Sequence, residues 1–218
     1  MTEKPLLIYV YDPLCGWCYT FHPVVNQLAE KFKERLSIQV KPGGLAIGEQ
    51  ARTIRDGYSF IPQASKQAET VTGVKFGRNF YLLAEEGSYF INSEPPCIAQ
   101  MVVNKLAPGH ALQFAGDMQN AFFRDGKSLN KWETFEELLK PLPVDLNECR
   151  KLFESDEMKQ ETYEQFEWCK KAGATGFPAL LLKIGDEIGV MSRGYRPFDT
   201  VESHLHHLLN NVEKLQNS

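Results

Sequence analysis

Two cysteines three positions apart, Cys15 and Cys18, are the residues whose type and spacing could do chemistry. Gly16 and Trp17 stand between them. A dithiol at this spacing can cycle. One thiolate attacks a disulfide, and the second thiol resolves the mixed disulfide that results. The other three cysteines, Cys97, Cys149 and Cys169, are scattered along the chain. An odd and sparse set of five does not suit a disulfide-stapled secreted scaffold. In a reducing compartment a close pair is catalytic or metal-binding more often than structural. A structural zinc site needs four ligands, often two CxxC pairs or one pair with two histidines. No second CxxC exists, and only His22, four residues after Cys18, could add a third ligand. Redox chemistry is the reading these features favour, with no metal.

The elements around the pair must position it. Residues 6–11 are β-branched and aromatic and are bounded by Pro5 and Asp12-Pro13, which predicts a buried strand. A helix follows over 15–32, where Phe21, Val24, Val25, Leu28 and Phe32 share a face and Pro23 interrupts the N–H ladder. A second strand over 36–40 is closed by Pro42-Gly43-Gly44. The cysteines therefore fall where a strand becomes a helix. A helix N-terminus carries unsatisfied N–H groups and about half a positive charge, so a thiolate there is stabilised. Cys15 at the exposed end would attack and Cys18 would resolve. Gly16 admits a substrate chain, and Trp17 offers an apolar contact surface.

From 45 to 172 no convincing strand is found, only helical periods and breakers. One helix starts at Pro95-Pro96 and ends at Pro108-Gly109; a second spans 110–124; a third holds Trp132, Phe135, Leu138 and Leu139 and ends before Pro141. A fourth stretch covers 147–172, as one helix or as two parted near Ser155, and Gly173 stops it. Strands return over 179–184 and 187–193 around a Gly185-Asp186 turn. A last helix over 198–215 carries Val201, Leu205, Leu208, Leu209 and Val212 on one side. The order is β-α-β, a helical block, then β-β-α: an α/β domain split by a helical insertion.

Composition sets the frame. The chain has 218 residues, 24% of them charged, and a net charge of −4, which argues against nucleic acid or an anionic membrane as the main partner. The apolar run at 6–11 is too short for a signal core, and no stretch approaches the roughly 20 apolar residues of a spanning helix. A cytoplasmic protein is expected.

Gly176-Phe177-Pro178 precedes the returning strand. Local sequence alone fits an ordinary trans proline that ends the preceding helix, with a cis bond in a tight turn as the alternative. Taken together, the run Asp12-Pro-Leu-Cys-Gly-Trp-Cys18, the segment Ser93-Glu-Pro-Pro96, the ending Gly173-Ala-Thr-Gly-Phe-Pro178, and Pro23 five residues after Cys18 resemble the DsbA family of thioredoxin-fold proteins. More narrowly they resemble its cytosolic members described as protein disulfide isomerases. The resemblance covers nearly the whole chain. It implies a thioredoxin-like fold with residues 1–45 and 173–218 as one discontinuous domain and 46–172 as the helical insertion. It implies Cys15 as nucleophile, Cys18 as resolving thiol, and a cis Pro178 lying against them. The Phe177 backbone would hydrogen-bond an extended substrate. Expected partners are protein disulfides or glutathione, acting on a monomer or homodimer. No bound cofactor is implied, only a thiol reductant such as glutathione or a thioredoxin system. Strongly oxidising relatives carry Pro-His between the cysteines and isomerases Gly-His; Gly-Trp supplies no imidazole, so a strongly oxidising character is not implied.

Two other functions share this architecture. Glutathione-dependent isomerases or transferases carry Ser at the first cysteine position and lack the CxxC. A non-enzymatic adaptor would use the pair only as a redox sensor. Cys97 and Cys169 read as buried core residues and Cys149 is undecided. On one straight helix Cys149 and Cys169 would stand about 30 Å apart, too far to pair. His204, His206 and His207 read as a solvated helix face, as does the acidic stretch 154–167. Arg52, Arg55 and Arg78 could hold an anion such as glutathione, but they are scattered.

Overall fold

The computed structural model describes residues 4–216, with side chains through residue 211. Strand β1 (Leu6–Tyr11) leads into helix α1 (Gly16–Phe32) and strand β2 (Ser37–Pro42). Six residues of β1 pair in parallel with β2, Leu6 opposite Ser37 through Tyr11 opposite Pro42. The chain then passes through β3 (Arg52–Thr53), α2 (Ile54–Gly57), α3 (Ile61–Thr72), α4 (Arg78–Glu86) and β4 (Phe90–Ile91). Helices α5 (Glu94–Leu106), α6 (Ala111–Phe123), α7 (Trp132–Leu139), α8 (Leu146–Phe153) and α9 (Asp156–Lys171) follow. Strands β5 (Ala179–Ile184) and β6 (Glu187–Arg193) and helix α10 (Phe198–Gln216) close the fold. The main sheet has the order β2-β1-β5-β6, with β5 antiparallel to both neighbours.

The period-2 pattern of β1 sorts its side chains to two faces. Leu7, Tyr9 and Tyr11 join a large core that includes Phe21, Val25 and Leu28 of α1 and reaches into α5 and α6. Ile8 and Val10 face the other way, with Cys169, Ala174, Ala179 and Leu181. Because β1 is buried on both faces, its near-continuous apolar sequence is the form such a strand requires.

The predicted β-α-β, helical block, β-β-α order is the one observed. Gly185, with φ of 58°, takes the first position of the two-residue β5–β6 turn, where a primed hairpin turn requires φ above zero. Ser155 caps α9 through its hydroxyl to the Met158 N–H, so the 147–172 stretch is two helices. One expectation is corrected. The middle of the chain does hold strand, since β3 and β4 pair antiparallel, Arg52 opposite Ile91 and Thr53 opposite Phe90. Two residues are too few to display an alternating pattern, and the pairing is made between distant segments. Val201, Leu205 and Leu209 of α10 are buried, whereas the Val212 side chain lies outside the described residues.

Candidate active site

The turn after β1 sets the position of Cys15. Its N–H donates to the Asp12 carbonyl at 3.1 Å, and its own carbonyl accepts from Cys18 and Tyr19 at 3.0 and 3.1 Å. Cys15 is thus the extended N-cap of α1 (φ −87°, ψ 113°) with no side-chain capping bond. Its thiol stands beside the first helical N–H groups, which have no intrahelical acceptor. Cys15 Sγ also reaches the Phe177 carbonyl at 3.8 Å, across 162 residues of sequence. The Phe177–Pro178 bond is cis, as the resemblance implied and as local sequence did not favour. Cys15 is 8% exposed, and Cys18 is fully buried one turn on. Burial pushes the Cys18 thiol well above its ordinary range, and the neighbouring Cys15 thiol adds to the shift. The Tyr9 hydroxyl donates to the Cys18 carbonyl at 3.2 Å, fixing that turn against the sheet. All five cysteines are free.

Beside Cys15 opens a groove of about 330 Å³. Leu14, Gly16, Trp17 and Phe177 border it near the thiol; Leu45, Tyr58 and Phe60 form its rim, and Phe76 and Phe123 its depth. Among the described residues no charged side chain lines it. Phe60 is 58% and Leu45 43% exposed, so the rim presents apolar surface to water. The Trp17 ring lies 6.2 Å from that of Tyr195 and also borders a shallower depression with Val71, Gly194 and Arg196. A β-carbon at Gly16 would meet Phe76 only at 3.5 Å, so its absence keeps the groove open without being demanded by packing.

Asp12, which sequence patterning marked only as a strand boundary, is fully buried. Its Oδ1 accepts from Leu14 N at 2.9 Å and Ser93 Oγ at 3.0 Å. Its Oδ2 accepts from Leu45 N at 2.7 Å, with the Cys97 thiol at 3.9 Å. Ser93 is the N-cap of α5 but makes no capping bond; its hydroxyl serves Asp12 and accepts from Ala46 N instead. Desolvation raises the Asp12 carboxyl above its ordinary value, and the four donors oppose that rise. The signal was present in the quoted Asp12-Pro run, but burial of an acid cannot be read from a turn-forming dipeptide.

The remaining candidates fall elsewhere. Cys97 is buried against Asp12. Cys169 is buried at Pro42, with its thiol raised to about 11 by burial, and Cys149 is buried in the helical block. His204, His206 and His207 are exposed on α10. Arg52 donates to the Glu49 carbonyl and Arg55 to the Glu86 carbonyl, Arg78 is exposed, and none of the three borders the groove. Among the described residues no group of three His, Cys, Asp or Glu could hold a metal, and no helix is long and apolar enough to cross a membrane.

No curated protein matches the chain significantly. A Nitrosomonas europaea protein described provisionally as a protein disulfide isomerase is 26% identical, with a TM-score of 0.82 over 96% of this chain and 99% of that one. The cytosolic disulfide reductase DsbM from Pseudomonas aeruginosa is 22% identical, with a TM-score of 0.78 over 94% of this chain and 98% of that one. The same reductase in a structure with GSH gives 0.77 over 94% and 99%. The architecture is therefore thioredoxin-like α/β with inserted helices. The family model for the DSBA-like thioredoxin domain matches residues 7–206, and the chain belongs to that family of thiol–disulfide oxidoreductases.

Proposed function

We propose that the chain exchanges disulfides through a Cys15–Cys18 dithiol couple, acting on protein or low-molecular-weight thiol substrates in the cytoplasm. The observation that carries this reading is Cys15 itself, an N-cap thiol at the mouth of an apolar groove with buried Cys18 behind it. In the reducing direction the Cys15 thiolate attacks a substrate S–S bond. That bond breaks, a mixed disulfide forms, and the departing thiolate takes a proton. Cys18, deprotonated, then attacks the Cys15 sulfur and releases the second substrate thiol. The substrate gains two electrons and two protons, and the pair becomes a disulfide that glutathione or a thioredoxin system returns to the dithiol. Isomerisation uses the first step and its reversal with a different substrate sulfur. Gly16, Trp17, Phe177 and Pro178 form the substrate-binding surface, residues 1–45 and 173–218 the redox domain, and residues 46–172 the helical domain that walls the groove.

An equilibrium titration against glutathione, read by Trp17 fluorescence, tests the couple. A two-electron transition that disappears in Cys15→Ser supports it, and the midpoint separates a reductase from an oxidant or isomerase. Absence of any transition overturns it and favours an adaptor that binds partners without turnover.

A further inference from the structure

We infer that Asp12 is a positioning residue for this dithiol: its buried carboxylate holds Leu14 and Leu45 at the groove beside Cys15 and, through its charge, biases the pair toward the disulfide state. The inference rests on the proposed couple and assigns what sets its poise. The carboxylate ties three segments that are distant in sequence. Leu14 N comes from the turn before Cys15, Leu45 N from the loop after β2, and Ser93 Oγ from the start of α5. Leu14 and Leu45 both border the groove. No lysine, arginine or histidine pairs with Asp12 among the described residues. The titratable groups that feel it are Tyr11 on β1, Cys18 on α1, Tyr58 after α2 and Cys97 on α5, all neutral or anionic. On this proposal the four donors hold the carboxyl ionised against the desolvation that raises it. The result is a negative charge, shielded by no cation, next to the turn that carries Cys15, whose thiolate is the attacking form of the reduced pair. In low dielectric that charge disfavours the thiolate, so the disulfide is favoured and the reduced pair is the stronger reductant.

Asp12→Asn and Ser93→Ala separate charge from tether. Asn keeps the size and one acceptor oxygen, loses the charge, and turns a donor toward Leu45 N. Ser93→Ala removes one tether and leaves the charge. Both are titrated against glutathione at pH 8, with KM and kcat measured on a peptide disulfide. The expected result is a shift toward the dithiol of about threefold or more in the equilibrium constant for Asp12→Asn, with none in that direction for Ser93→Ala. KM should rise in both. A wild-type constant in Asp12→Asn, or an equal shift in Ser93→Ala, overturns the inference while leaving the couple standing; no transition in the wild type overturns both. Should Asp12→Asn fail to fold, Asp12→Ser carries the test: it also removes the charge, so it should move toward the dithiol, and a wild-type constant in it overturns the inference.

Discussion

Phe177 occupies the space a side chain on Gly43 would need: a β-carbon there would lie 2.0 Å from Phe177 Cε1 and 2.3 Å from Cζ. The loop after β2 is thus the seat of the aromatic ring whose own carbonyl faces Cys15 Sγ. Phe177 is only half-buried, so the ring can swing away when displaced. Gly43→Ala is therefore expected to cost about 1–2 kcal/mol, toward the low end for an added methyl. The moved ring should reshape the groove and lower kcat/KM about tenfold, since small misplacements at a reacting centre are costly. In a Phe177→Ala background the same change should be nearly silent. Urea melts and peptide-disulfide kinetics on the four-member cycle decide it; additive losses would sink the contact.

The thiols should differ sharply in reactivity. Cys15 retains some exposure, while Cys18, Cys97 and Cys149 have none and Cys169 is 1% exposed. Burial also pushes Cys18, Cys97 and Cys169 up, which lowers their thiolate fraction. Iodoacetamide at pH 7.5 is expected to label Cys15 first, about tenfold or more faster than any other site. Peptide mass mapping over a time course reads this directly. Cys18→Ser should accumulate a mixed disulfide on Cys15, and Cys15→Ser should accumulate none. Equal labelling of Cys18 would contradict the assigned order of attack.

What the sequence revealed was local. The Cys15-Gly-Trp-Cys18 spacing and the change from period 2 to period 3.6 both lie within the first 32 residues, so the strand-to-helix junction could be read directly. The 179–193 hairpin was legible for the same reason. Asp12 was not, because its donors lie up to 85 residues away, and Asp-Pro locally looks like a breaker. The groove was partly legible. Trp17 and Phe177 were legible as substrate contacts, but Tyr58, Phe60 and Phe76 lie in the connections between α2, α3 and α4, where no periodicity marks them, and Phe123 ends α6, whose periodicity names a buried face without naming the face it meets. The cis bond at Pro178 followed from resemblance alone, since neither isomer leaves a local mark.

A buried polar chain joins the two halves of the large core. Tyr11 Oη donates to Gln100 Oε1 at 2.6 Å, and Gln100 Nε2 donates to Asn104 Oδ1 at 2.9 Å and to the Ala111 carbonyl at 3.2 Å. Asn104 Nδ2 in turn satisfies the Val40 carbonyl on edge strand β2 at 2.9 Å. Tyr11→Phe leaves the fully buried Gln100 oxygen without its donor, and should cost about 1–2 kcal/mol. Gln100→Leu strands several groups at once and should cost more. Denaturant midpoints with unchanged m-values would support this; an unaffected Tyr11→Phe would show that the hydroxyl bond adds nothing net.

His22 gives the fold a pH dependence of definite sign. It lies on α1 against α6, where a β-carbon on Gly116 would fall 2.4 Å from His22 Nε2. Its Nδ1 has no hydrogen-bond partner among the described residues, and burial lowers the imidazole from 6.5 to about 4. The ring is neutral in the native state at pH 7. Between about pH 6.5 and 4 the unfolded chain binds a proton that the folded chain refuses, so stability falls as pH falls through that window and levels off below it. The full difference is on the order of 3 kcal/mol. Asp12 works in the opposite sense, because a raised carboxyl binds its proton more readily in the folded state. Wild-type melts alone therefore mix the two. The difference between wild type and His22→Leu, followed from pH 7 to pH 4, isolates the histidine, and the variant should lose less stability across that range. Parallel curves would mean that His22 takes up its proton in the fold as readily as in the unfolded chain.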